Sequence, residues 1–175
     1  MQKRFLVSIL ALASLLIAGC AATPSVQQVR PVEADLSSRY RALQVVVDAP
    51  EAIRKQNGYD VTAAELQQAL ISNVAAASKF ATVGTGAGTG KGLEARLTIN
   101  ELNFVSGASR AVVGILAGRA VLQVTMTLKD SETGNVLGIV NAGHSSSHAQ
   151  GVFSPATGGQ ITAIAKELSS RLTGQ

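Results

Sequence analysis

The sequence predicts an α+β domain of two layers: a mostly antiparallel sheet with two helices on one face, in the order β-α-β-β-β-β-α. Three observations carry this expectation. Leu93 to Phe104 and Ala120 to Lys129 alternate apolar and polar residues, the period of strands with one buried and one wet face. Leu66 to Val74 and Ile161 to Leu172 space their apolar residues three and four apart, the period of helices with one buried stripe. The chain has 175 residues, and 156 remain after a leader of 19, enough for one domain with its own core.

The leader comes first. Lys3 and Arg4 precede an apolar stretch, Phe5 to Ala18, broken only by Ser8 and Ser14. It is too short for the roughly 20 residues of a membrane-spanning helix. A basic start, a short apolar run and small residues before a cleavage point mark residues 1–19 as a secretory signal, outside the fold. The stretch ends in Ile17-Ala18-Gly19-Cys20, which resembles the lipobox of bacterial lipoproteins. That resemblance implies that Cys20 carries diacylglycerol on its sulfur, becomes the new N-terminus and takes an acyl chain such as palmitate there. With Ala21 and Ala22 following and no Asp beside the cysteine, it also implies a lipid anchor in the outer membrane, the domain facing the periplasm. Cys20 is the only cysteine, so an exported chain forms no internal disulfide, and acylation accounts for the thiol. Several acyl chains, at about 0.8 kcal/mol per buried CH₂, make such an anchor effectively permanent.

Charge must be counted without the leader. The whole chain has 15 Lys and Arg against 11 Asp and Glu; without Lys3 and Arg4 the count is 13 against 11, a net charge of +2. That balance gives no argument for nucleic acid. Aromatic residues make up 3% of the chain and Trp is absent, so stacking platforms for bases or sugars are poorly supplied.

Ala21 to Ser38, with Pro24, Pro31 and no apolar period, reads as a tether, so residues 20–38 form the acylated cysteine and a flexible linker. Its eighteen residues reach at most about 60 Å when extended, and the domain, residues 39–175, need not touch the membrane. Tyr40 to Asp48 alternates Leu43, Val45 and Val47 and predicts a strand. Pro50, Asn57 and Gly58 mark a loop. Thr62 and Glu65 read as a capping box opening a helix with Leu66, Leu70, Ile71 and Val74 on one face. Lys79 to Val83 is a short strand entering a glycine-rich stretch. The two alternating strands follow, then the turn Asp130-Ser-Glu-Thr-Gly134-Asn and a return strand, Val136 to Ala142. Ser154-Pro155 and Thr157 with Gln160 announce the final helix, with Ile161, Ile164, Ala165, Leu168 and Leu172 inward.

Several stretches invite a chemical reading. "ATVGTGAGTGKGLEARL", Ala81 to Leu97, looks like a phosphate cradle. A phosphate-binding loop needs Ser or Thr after its lysine, and Lys91 is followed by Gly92; the spacing of a dinucleotide fingerprint fails as well. Both motifs also need a helix after the glycines, whose N–H groups meet the phosphate, and a strand is expected here. The glycines predict a hairpin tip and no nucleotide site. His144 and His148 could share a metal, but no Cys, Asp or Glu nearby completes a ligand set. Gly107-Ala-Ser109-Arg-Ala111 lacks the closing glycine of a nucleophile elbow. Asp130 and Glu132 sit where a turn wants Asp for its own geometry. No catalytic constellation, cofactor site or metal site is expected.

One segment remains. Between Arg110 and Arg119 every residue is uncharged, with Val112, Val113, Ile115 and Leu116 apolar and Gly114 and Gly118 four apart. As a short helix these glycines form a strip that another backbone can approach closely. The strip is either cover for the domain's own sheet or a docking surface for an envelope protein or another copy of the chain. The succession from Val105 to Gly138, an Arg, a Gly-rich apolar connector, an alternating strand and Asp-x-x-Thr-Gly-x-Val-Leu, resembles a family of bacterial lipoproteins known as a domain of unknown function. The layout is also similar to small periplasmic domains of envelope assembly factors. The family likeness names no activity and the fold likeness carries little functional weight. The expectation of a non-catalytic interaction or assembly module in the cell envelope rests on the lipobox and on the lack of a catalytic constellation. A binder of a small ligand or cell-wall polymer is the alternative, and an enzyme a weaker one.

Overall fold

Strand pairing organises the molecule. The computed structural model describes residues 24–34, 36–78, 80–86, 91–103, 121–145 and 156–174. In chain order the elements are β1 (Ser25–Arg30), α1 (Leu36–Arg39), β2 (Ala42–Asp48), α2 (Glu51–Arg54), α3 (Tyr59–Ala77), β3 (Thr82–Gly84), β4 (Gly92–Asn103), β5 (Val121–Asp130), β6 (Val136–Ser145) and α4 (Ala156–Thr173). The six strands form one sheet in the order β1-β6-β5-β4-β2-β3. β1, β6, β5 and β4 pair antiparallel, whereas β2 runs parallel to both β4 and β3. The sheet is mixed and mostly antiparallel, packed with two main helices, so the expected α+β class holds.

Alternation decides which face is buried. Cross-strand rows such as Val140–Met126–Leu97–Val47 and Leu128–Ala95–Val45 lie on the helix side. They meet Leu66, Leu70 and Val74 of α3 and Ile161, Ile164 and Leu168 of α4 in one continuous core. The opposite face is polar and hydrogen-bonded to itself. Asn100 Nδ2 donates to Thr125 Oγ1 at 2.7 Å, and that hydroxyl donates to Asn141 Oδ1 at 2.8 Å.

Three expectations change. Residues read as a tether belong in part to the domain: β1 pairs along β6, and Leu36 of α1 is 1% exposed. β1 is an edge strand, and only Val26 packs partly inward, so its sequence carries no period of two. The capping box is absent as well. α3 begins at Tyr59 behind Gly58, which takes the left-handed conformation (φ 86°), and Thr62 is already inside the helix and buried. Finally, β3 and β4 do not form a hairpin. They run parallel on either side of β2, so the glycine stretch connects strands across it.

Candidate functional site

A group of polar and charged side chains gathers where β2 begins and the β5–β6 hairpin turns. Asp130 closes β5, and its buried carboxylate organises the turn. Oδ1 accepts the backbone N–H groups of Glu132 at 2.9 Å and Thr133 at 3.0 Å. Gly134 takes φ +71°, a left-handed conformation that suits glycine, and its N–H reaches Asp130 O at 2.8 Å. Oδ2 accepts the hydroxyl of Tyr40 at 2.8 Å across 90 residues of sequence. These bonds favour the ionised carboxyl and hold Asp130 down to about 2, the Thr133 N–H contributing most and the Tyr40 hydroxyl next.

Tyr40 is the other half of this strut. Its ring is buried and its pKa is raised, first by burial and then by the hydrogen bond to Asp130. Lys91 Nζ stands 5.1 Å and Arg39 Cζ 5.6 Å from the ring centroid, within the range of cation–π attraction. Arg39 also pairs with Glu33. The chemistry is that of a clamp. The phenol proton is committed to a carboxylate, and the carboxylate is committed to three donors, so neither group is poised to transfer a proton. Asp130 therefore does the turn work its position predicts. Tyr40 went unrecognised in the sequence because its partner lies in a distant hairpin.

The other sequence candidates fall as follows. A strand, β4, and not a helix follows the glycines and Lys91; residues 87–90 lie outside the described residues. His144 stands in β6 opposite Leu122, and His148 lies outside the described residues. Among the described residues no group of three or more His, Cys, Asp or Glu is placed to hold a metal. Cys20 and the strip of Arg110, Val112, Val113, Gly114, Ile115, Leu116, Gly118 and Arg119 lie outside the described residues, as does Ser109. No described helix is long and apolar enough to cross a membrane. Two open grooves indent the surface, about 410 Å³ between α3 and α4 and about 310 Å³ between residues 32–37 and the end of α4.

The edges of the sheet differ from each other. β3 is three residues long, and beyond it Gln67 Nε2 covers the edge of β2 by donating to Val45 O at 2.9 Å. β1 is exposed along most of its length, with Val29 57% exposed at an irregularity between Gln28 and Arg30.

Fold and site together define a two-layer α+β domain with a clamped hairpin and, among the described residues, one open sheet edge. The chain belongs to the family named domain of unknown function DUF4410, whose model matches residues 27–151. Among curated proteins, none matches it. The chain is similar in structure to PelC from Paraburkholderia phytofirmans, described as a dodecamer, with a TM-score of 0.55 and 15% identity over 86% of this chain and 97% of that one. A leucine-to-methionine variant of the same PelC gives the same TM-score at 14% identity, over the same shares of both chains. A protein from Xanthomonas campestris follows with a TM-score of 0.48 and 14% identity, over 78% of this chain and 86% of that one.

Proposed function

We propose that the chain is a non-catalytic envelope lipoprotein, anchored to the outer membrane through acyl chains on Cys20, that works in the periplasm as a self-associating interaction or assembly module. The observation that carries this reading is the open β1 edge. Unpaired strand edges are templates for pairing with another chain, and folded proteins commonly blunt them. Among the described residues, one edge of the sheet is short and covered by Gln67, while the other presents six residues with Val29 57% exposed. The fold-level likeness to a protein described as a dodecamer supports self-association, and the lipobox supports the anchor. The strip from Arg110 to Arg119 is either cover for the domain's own sheet or a second docking surface.

The test is the oligomeric state of the chain from Ala21 onward, measured by native mass spectrometry. Wild type is expected to form a defined oligomer. Val29→Lys, at an exposed position, should leave stability within about 0.5 kcal/mol and reduce the assembly to a smaller species. A monomeric wild type, or a Val29→Lys variant with unchanged mass, would remove the edge from the proposal.

A further inference from the structure

We infer that one particular end of the sheet faces the lipid surface: the end that holds Ser25, Gly143, Gln123 and Glu101. This rests on the reading of Cys20 as the acylated residue. Strand register puts those four residues in one cross-strand row, Ser25 opposite Gly143, Gly143 opposite Gln123 and Gln123 opposite Glu101. Asn103, paired with Val121, lies two residues further out on the same side.

The length of the link decides the orientation. Four residues, Ala21 to Pro24, separate Cys20 from the first residue of β1. Five Cα steps of extended chain reach at most about 18 Å. From Glu101 back to Leu93, which pairs with Asp130 at the clamped hairpin, the sheet runs about 26 Å at roughly 3.3 Å per residue. With the hairpin end against the bilayer, Ser25 would stand further from the surface than the link can span. The link excludes that arrangement and keeps the Ser25 end within about 18 Å of the surface, and we place the Tyr40–Asp130 clamp at the end turned toward the periplasm.

Charge on the described residues does not drive this approach. β2 runs toward the membrane end, so α2 and the start of α3 follow it there. They carry Glu51 and Asp60 as well as Arg54 and Lys55, Lys55 pairing with Glu51 and Arg54 with Asp48, and Glu101 adds a further acid. Among the described residues the charge at this end is balanced and gains little from anionic lipid. The short link imposes the geometry.

Energy transfer to the membrane tests it. Acylation consumes Cys20, the only cysteine, so one introduced thiol can be labelled cleanly. Asn103 and Glu132 are both exposed and lie near opposite ends of the sheet. Full-length Asn103→Cys and Glu132→Cys proteins, purified from membranes and labelled with a donor dye, are reconstituted into phosphatidylethanolamine–phosphatidylglycerol vesicles carrying an acceptor lipid. The donor at position 103 should lose most of its fluorescence and the donor at 132 little. A Gly/Ser spacer of about 20 residues inserted after Pro24 should erase the difference, because such a linker behaves as a flexible coil. Equal transfer from both positions in vesicle-bound protein overturns the orientation and leaves the anchor intact. An asymmetry that survives the spacer overturns the role of the link. Protein that fails to float with the vesicles overturns the anchor and the orientation together.

Discussion

Asp130 shows how a single residue in a surface turn can set a pH limit on the fold. Its folded carboxyl titrates at about 2 instead of the ordinary 3.8. A depressed carboxyl contributes stability that is complete above its ordinary value and is lost as the pH falls through the folded one. Tyr40→Phe removes one of the donors that hold the carboxyl down, so the folded value rises and acid unfolding begins at a higher pH. Circular dichroism across an acid titration should show that upward shift, and an unchanged midpoint would mean that the clamp contributes nothing. Glycines give a second residue-scale contrast. A Cβ built on Gly138 would meet Val32 Cγ2 at 2.9 Å and Val32 Cα at 3.0 Å, because residues 31–34 cross β6 there. Gly138→Val should cost about 1–3 kcal/mol through overpacking. In α4, a Cβ on Gly159 meets nothing within 4 Å, so Gly159→Ala should stabilise by about 0.5 kcal/mol. Urea unfolding of the two variants must move in opposite directions for this packing account to stand.

At the scale of elements, legibility followed burial. β4 and β5 each place one side chain in the core and the next outside it, so Leu93, Ala95, Leu97 and Ile99 revealed β4 in the sequence alone. α4 was equally plain, because Ile161, Ile164 and Leu168 form one buried stripe. β1 was not, since an edge strand with polar residues on both faces owes its structure to β6 and not to its own pattern. The start of α3 misled for a related reason: Thr62 and Glu65 fit a capping box, yet Gly58 allows the helix to begin a turn earlier. The turn at Asp130 is legible in Asp130-Ser-Glu-Thr-Gly134-Asn, but the Tyr40 contact that completes its clamp depends on tertiary structure. The connector from Arg110 to Arg119 has a pattern without a described position, and a mutation can assign its role. If its apolar strip docks a partner or another copy, Val113→Asp keeps the melting temperature and weakens the association seen by native mass spectrometry. A charge forced into a core would instead cost several kcal/mol, and a collapsed fold would take Val113 out of the docking surface.

The whole molecule raises the question of where the domain begins. The sequence alone puts the boundary at residue 39, with everything between Cys20 and Ser38 as linker. The structure moves it to the start of β1, and the difference has a measurable size. Leu36 is buried against the core, Val26 and Val32 pack on it, and β1 covers what would otherwise be the free edge of β6. Burying one leucine contributes about 1.5–3 kcal/mol, so a chain beginning at Arg39 loses at least that, before the β1–β6 ladder is counted. For a domain of this size such a loss lowers the melting temperature by several degrees. The same truncation exposes β6, whose Val136, Leu137, Ile139 and Val140 make a far more apolar edge than Ser25 to Arg30. Thermal melts of chains beginning at Pro24 and at Arg39 should therefore differ, with the shorter one melting lower and aggregating as it unfolds. Identical melting temperatures would restore residues 24–38 to the role of linker, and with them the long reach from the membrane that the short link denies.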